Sequence, residues 1–238
     1  RGHGGPVRAL AVSSDGAVAL SGSFDATAIL WSLSTGTAQS VLRFHPGPVN
    51  AVALLEGGRM ATSGEDGRIA IWEKGAASPA RVLTGHTAPV VSLAVSPNGQ
   101  MLASASWDGT ARIWSLRDGS TRVLEGHQQN VNGVAFAPDG RTLITCGYDL
   151  TLRLWPLGEG SPTPKVVTLP TPLNAVAAMP DGLLITAGAT GKVYFLSPRG
   201  EPEAEVEAAD APIVALAVSA DGTLGAATSV RGAVAIID

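Results

Sequence analysis

Histidine, a hydroxyl residue and aspartate recur together along this chain. That trio is the composition of a hydrolytic triad, in which an imidazole takes the hydroxyl proton and a carboxylate orients the ring. The sets are His3, Ser21 and Asp25; His45, Thr62 and Asp66; His86, Ser104 and Asp108; and His127, Thr145 and Asp149. They use all 4 histidines, and in each the hydroxyl residue stands four positions before the aspartate. A catalytic centre would be one site set apart from the rest, and none of these differs from the others. The repetition favours a structural unit over an active site.

The elements that carry these residues repeat as well. Trp31, Trp72, Trp114 and Trp155 follow one another at intervals of 41, 42 and 41 residues, and Leu196 and Ile237 extend the series at 41 and 41. A period of about 40–45 residues is that of a four-stranded propeller blade. Six short aliphatic runs open the units: 7–12, 49–54, 90–95, 131–136, 173–178 and 213–218. Each reads as a buried strand. A turn follows each run, as in Ser14-Asp15-Gly16 and Pro138-Asp139-Gly140. Asp-Gly tolerates the positive φ of a tight hairpin, so the chain folds back into a second strand. A second turn at Asp25, Asp66, Asp108 or Asp149 leads into the strand that ends in tryptophan, and a Gly/Ser/Pro-rich connection leads to a fourth. One such sheet cannot bury both faces, so neighbours stack around an axis. The expected fold is all-β, a propeller of six four-stranded repeats over about 1–44, 45–84, 85–125, 126–168, 169–208 and 209–238, the last lacking its fourth strand.

Gly85-His86, Pro97-Asn98-Gly99, Ser104-Ala105-Ser106-Trp107-Asp108 and Arg112-Ile113-Trp114 together resemble one complete WD40 repeat. Four such units run from Arg1 to Trp155, and two degenerate ones follow in register. The resemblance implies that each histidine, hydroxyl and aspartate joins the tryptophan of its own unit (Trp31, Trp72, Trp114 or Trp155) in a hydrogen-bonded tetrad that holds one blade together. Units five and six depart from it: Thr190 and Arg231 replace the aspartate, and Leu196 and Ile237 the tryptophan. Those blades are expected to rest on apolar packing alone and to be the softer part of the ring. The resemblance further implies a ring closed by a strand from the N-terminal side. Neither a starting methionine nor such a strand precedes Gly2-His3, so the chain reads as a piece of a longer, seven-bladed protein. A six-bladed ring with an unfinished seam is the alternative.

Composition narrows the function. The chain carries a net charge of −4, 15% charged residues and scattered Lys and Arg. No basic stripe suits nucleic acid. No apolar run approaches the ~18 residues of a membrane span. Cys146 is alone and sits where other units have small residues, which fits a buried filler and fixes no compartment. Asp15, Asp139, Asp181 and Asp221 belong to hairpins of different blades and do not converge on a metal. Glu201, Glu203, Glu205 and Glu207 alternate along one strand, as on a solvated edge. No catalytic residue, cofactor or metal ligand is assigned.

In the family the residues just before the turn aspartate line the top face near the axis. Here they include Phe24, Glu65, Trp107 and Tyr148, three of them aromatic in a chain with only 5% aromatics. Arg8, Asn50, Asn132 and Asn174 recur at the start of the first strands, with Gln128, Gln129 and Asn130 beside them. Aromatics ringed by amides and one arginine suit a protein-binding hot spot. The alternative is that they pack on neighbouring loops. The expected function is a non-catalytic scaffold that docks a protein on this face. Two other readings stay open. One is a propeller enzyme of quinoprotein or lactonase type, although no carboxylates stand on the channel-facing strands. The other follows from the run Gly126–Phe136, which is similar to bacterial propellers joined to a c-type cytochrome. It would place a haem domain beyond Asp238 and the protein in the periplasm, the cytoplasm being expected otherwise.

Overall fold

The computed structural model describes residues 2–158 and 163–237. The expected outer limits at Arg1 and Asp238, and part of the Gly/Ser/Pro connection after Trp155, lie outside the described residues.

Hydrophobic alternation and turn chemistry produce six antiparallel meanders. The first sheet holds β1 (Val7–Val12), β2 (Val18–Ser23), β3 (Thr27–Ser32) and β4 (Thr37–Arg43). The second holds β5 (Val49–Leu54), β6 (Met60–Gly64), β7 (Ile69–Trp72) and β8 (Arg81–Leu83). The third holds β9 (Val90–Val95), β10 (Met101–Ser106), β11 (Ala111–Ser115) and β12 (Thr121–Leu124). The fourth holds β13 (Val131–Phe136), β14 (Thr142–Gly147), β15 (Thr151–Pro156) and β16 (Lys165–Thr168). The fifth holds β17 (Leu173–Ala178), β18 (Leu184–Gly188), β19 (Lys192–Leu196) and β20 (Pro202–Glu207). The sixth has three strands, β21 (Ile213–Val218), β22 (Gly225–Ser229) and β23 (Val234–Ile237).

The hairpins close as their residues dictate. Gly16 takes φ 67, while the Asp15 carboxylate accepts the Ala17 N–H at 3.0 Å and the Ser13 hydroxyl at 2.6 Å. At the second turn the residue after the aspartate is left-handed even where it is not glycine: Ala26 and Leu150 both have φ 65. That conformation costs about 1–2 kcal/mol for a residue with a Cβ. The turn aspartate holds it, since Asp149 accepts from the Thr151 N–H and from the Thr151 hydroxyl.

The core lies between sheets. Leu20 and Ala28 of the first sheet pack on Val52, Met60 and Trp72 of the second. Ile69 and Ile71 of the second pack on Leu102 and Trp114 of the third. The pattern runs on to Ile185 and Val193 of the fifth, which meet Ile213 and Ala227 of the sixth. The innermost strands pack in chain order, β1 on β5, β5 on β9, β9 on β13, β13 on β17 and β17 on β21. Among the described residues, β21 makes no comparable packing with β1. The two facing sides are correspondingly open. Leu10 is 67% exposed, whereas Val52 and Val134 at the same register position are 8% and 5% exposed. On the far side Val234 and Ile236 of β23 are each 64% exposed.

One expectation needs correction. The fifth sheet does not rest on apolar packing alone. The Thr186 hydroxyl donates to the Ala175 carbonyl at 2.8 Å, and the Thr190 and Tyr194 hydroxyls meet at 3.3 Å. In the sixth, Arg231 pairs with Asp210 at 2.9 Å. That pair is well exposed and adds little stability.

Cys146 in β14 is fully buried, and burial pushes its thiol up to about 12. The thiolate is the reactive species. The native protein should therefore leave a thiol reagent such as DTNB unreacted at pH 8 and release one equivalent on unfolding in guanidinium. Prompt native-state reaction would show that β14 opens far more readily than its packing allows.

Candidate functional site

The triad-like residues do meet, one set to a sheet. His3, His45, His86 and His127 place Nδ1 at 3.1, 3.0, 2.7 and 3.0 Å from the carboxylates of Asp25, Asp66, Asp108 and Asp149. Their Nε2 atoms lie 2.7, 3.0, 2.8 and 2.7 Å from the hydroxyls of Ser21, Thr62, Ser104 and Thr145. This is the order carboxylate, imidazole, hydroxyl that a nucleophile requires. A fourth member changes its chemistry. Each hydroxyl oxygen also accepts the indole N–H of Trp31, Trp72, Trp114 or Trp155, at 2.8, 3.1, 2.9 and 2.9 Å.

A neutral imidazole with its proton on Nδ1 satisfies the whole chain. The indole donates to the hydroxyl, the hydroxyl to Nε2, and Nδ1–H to the carboxylate. The hydroxyls are out of reach: Thr62 is 1% exposed, and Ser104 and Thr145 are fully buried. Burial lowers the pKa of His127 despite the opposing pull of Asp149, which keeps the ring neutral. Burial alone would raise the carboxylates. Hydrogen bonds from His86 and Thr110 nevertheless hold Asp108 well below the usual carboxylate range, and those from Thr27 and Gly4 do the same for Asp25. Asp66 and Asp149 are lowered in the same way.

The rim residues occupy equivalent positions. The backbone N–H groups of Phe24, Glu65, Trp107, Tyr148, Ala189 and Val230 donate to the carbonyls of Pro6, Pro48, Pro89, Asn130, Pro172 and Pro212, at 2.9 to 3.1 Å. Each bond ties the second turn to the residue that enters the first strand of its sheet. Phe24, Trp107 and Tyr148 are 49%, 43% and 44% exposed. Glu65, Gln129 and Asn130 lie beside them, Glu65 and Gln129 exposed and Asn130 half-buried.

A second equivalence is hidden in the strand register. In every sheet the pairing of the first two strands skips one residue, which makes a bulge. The skipped residues are Arg8, Asn50, Val91, Asn132, Asn174 and Val214. A bulge re-aims the side chain it carries. Asn132 donates its amide N–H to the Leu173 carbonyl in the next sheet at 2.9 Å, and Asn174 donates to the Ile213 carbonyl at 2.8 Å. Asn132 also accepts the Trp107 indole N–H at 3.0 Å. These two amides are therefore not free rim donors; they stitch neighbouring sheets. Arg8 turns its guanidinium over the Phe24 ring, 6.0 Å from the centroid. Among the described residues Asn50 has no side-chain hydrogen bond.

Nothing in the one-letter sequence marks a bulge, so the partners of Asn132 and Asn174 were not legible there. The Asp210–Arg231 pair did leave a signal. It spans 21 residues, the same separation as His45 and Asp66. Two small clefts among the described residues, of about 100 and 210 Å³, have no histidine in their linings. Among the described residues no three His, Cys, Asp or Glu side chains gather to hold a metal, and no helix is long and apolar enough to cross a membrane.

Known proteins share this repeat. The family profile described as WD domain, G-beta repeat matches residues 1–32, 36–73, 77–115 and 119–156, more than half of the chain. The fifth and sixth sheets lie outside the match and are recognisable by their geometry. Telomerase protein component 1 of Rattus norvegicus is 40% identical over 72 residues, which are 30% of this chain and 3% of that protein. WD repeat, SAM and U-box domain-containing protein 1 of Danio rerio is 39% identical over 75 residues, 30% of this chain and 15% of that one. The aligned segments thus cover small fractions of both relatives. With the tetrads repeated in four sheets and the profile matched four times over, the chain belongs to the WD40 repeat family.

Proposed function

We propose that this propeller is a non-catalytic scaffold that docks a partner protein on the rim carrying Phe24, Trp107 and Tyr148. The observation behind the reading is that these aromatics stand at equivalent backbone positions, close to half exposed, on sheets locked by buried hydrogen bonds. Rigid aromatics lose little entropy on binding and anchor most protein interfaces. The buried hydroxyls, each plugged by an indole, argue against hydrolysis. Within the face, Phe24, Glu65, Trp107, Tyr148, Gln129 and Asn130 are assigned to contact, and Asn132 and Asn174 to positioning.

The double variant Trp107→Ala/Tyr148→Ala tests the reading. It should lose partner capture in a pull-down from the native organism, while its urea midpoint stays close to that of the parent, because both rings are substantially exposed. Undiminished capture would refute docking on this rim.

For the ring itself we infer a seventh sheet between the sixth and the first. The exposed Leu10 and Val12 on one side and Val234 and Ile236 on the other support it. A bacterial, cytochrome-linked role with a haem domain beyond Asp238 rests on the Ala/Gly/Val-rich style of the chain and on the run Gly126–Phe136. The two named relatives come from a rat and a fish. That role is not adopted.

A further inference from the structure

We propose that the arc formed by Glu65, Trp107 and Tyr148 receives a guanidinium group, an arginine side chain presented by the docked partner. The inference rests on the docking reading above and adds the chemistry of what is docked.

The first sheet supplies the internal precedent. Its bulge residue is Arg8, and the bulge carries the guanidinium over the rim aromatic Phe24. The third and fourth sheets repeat the geometry without the cation. Their rim aromatics are Trp107 and Tyr148, and their bulge residues are Val91 and Asn132. Among the described residues the only other ring with a cation over it is Trp114, which lies beneath Arg112 and is buried. Trp107 and Tyr148 are exposed rim aromatics like Phe24, and among the described residues no cation lies over either ring. A cation is drawn to such a face by the ring quadrupole.

Two further features fit a cation rather than a neutral group. Glu65 occupies the rim position of the second sheet, next to the third, and among the described residues its exposed carboxylate has no cationic partner. A guanidinium fork matches a carboxylate and stacks on an aromatic ring at the same time. The net charge of −4 adds a general attraction for basic segments.

Trp107 is also held ready. Its indole N–H is fixed by Asn132, and Asn132 is anchored to the Leu173 carbonyl of the next sheet. The support of the indole therefore draws on three sheets, and Trp107 remains 43% exposed. A ring whose polar atom is already satisfied and which stays partly exposed loses little freedom on stacking.

The probe is N-acetyl-arginine amide, compared with its uncharged isostere N-acetyl-citrulline amide. The readout is the indole N–H resonance of Trp107 among the 5 tryptophans of the chain, assigned by its loss in Trp107→Phe. The arginine compound should shift this resonance in a saturable, salt-sensitive manner and leave the other four in place, which also reports an intact fold. The citrulline compound should bind about tenfold more weakly or not at all. Glu65→Gln and Tyr148→Ala should each weaken the arginine response several-fold. Equal response to citrulline, or no response to arginine, overturns the proposal. If arginine gives no response while Trp107→Ala/Tyr148→Ala still abolishes partner capture, docking stands and cation recognition falls. An arginine response with capture undiminished in that variant upholds the cation site and removes docking.

Discussion

Trp72→Ala lowers the free energy of unfolding by about 3–5 kcal/mol, the usual cost of removing a large aromatic side chain from a packed interior. Trp72 is 1% exposed and packs among Leu20, Ala28, Leu42, Val49 and Met60, so it joins the first sheet to the second. Its removal opens a void between sheets and strips the Thr62 hydroxyl of the indole donor. In a chain of this size the melting temperature should fall by roughly 10 °C. Trp31→Ala is the internal comparison. Trp31 makes the same bond, to Ser21, but lies on the open side of the first sheet and is only half-buried. It should cost clearly less. Equal losses in urea melts of the two variants would mean that burial between sheets is not what stabilises the array.

Asp108→Ala is the second large effect, with an expected cost of about 1–3 kcal/mol for buried donors left without an acceptor. The carboxylate accepts from His86 Nδ1 at 2.7 Å, from the Thr87 and Thr110 N–H groups, and from the Thr110 hydroxyl. The substitution also changes the response to acid. Burial works to raise Asp108, and its hydrogen bonds overcome this, so that its folded pKa lies below the ordinary 3.8. A depressed carboxylate contributes stability that is fully present above its unfolded pKa and is lost as pH falls through the folded value. The parent should therefore lose stability as pH drops below about 4, and Asp108→Ala should lose less over the same interval. Parallel acid profiles of parent and variant would show that Asp108 is not linked to folding in this way.

Much of this architecture was legible because one interval governs it. The six aliphatic runs read from the sequence coincide with β1, β5, β9, β13, β17 and β21, since each opens a unit and each is closed by a turn whose chemistry is explicit. The contents of each tetrad were legible for the same reason, through residues at fixed offsets within one sheet. What crosses between sheets was not. Asn132 reaches a carbonyl 41 residues away, and its direction comes from a bulge that no residue type announces. The rim therefore looked like a field of free amides, when two of them are committed to holding sheets and an aromatic in place. Thr190 was legible as a lost aspartate but not as the partner of Tyr194, because the replacement uses a different bond. Polar side chains that substitute for a missing motif member leave no periodic trace.

Among the described residues the sheets grip one another in chain order, from β1 on β5 to β17 on β21. Each of the second to fifth sheets is thereby clamped on both flanks by its neighbours in sequence. Stability in such a stack is a sum of neighbour terms, so a fault in one sheet is felt first by the two sheets that flank it. Trp107 and Tyr148 stand on the third and fourth sheets, both held from two sides, so the surface they offer is fixed by the packing of neighbouring sheets rather than by their own loops.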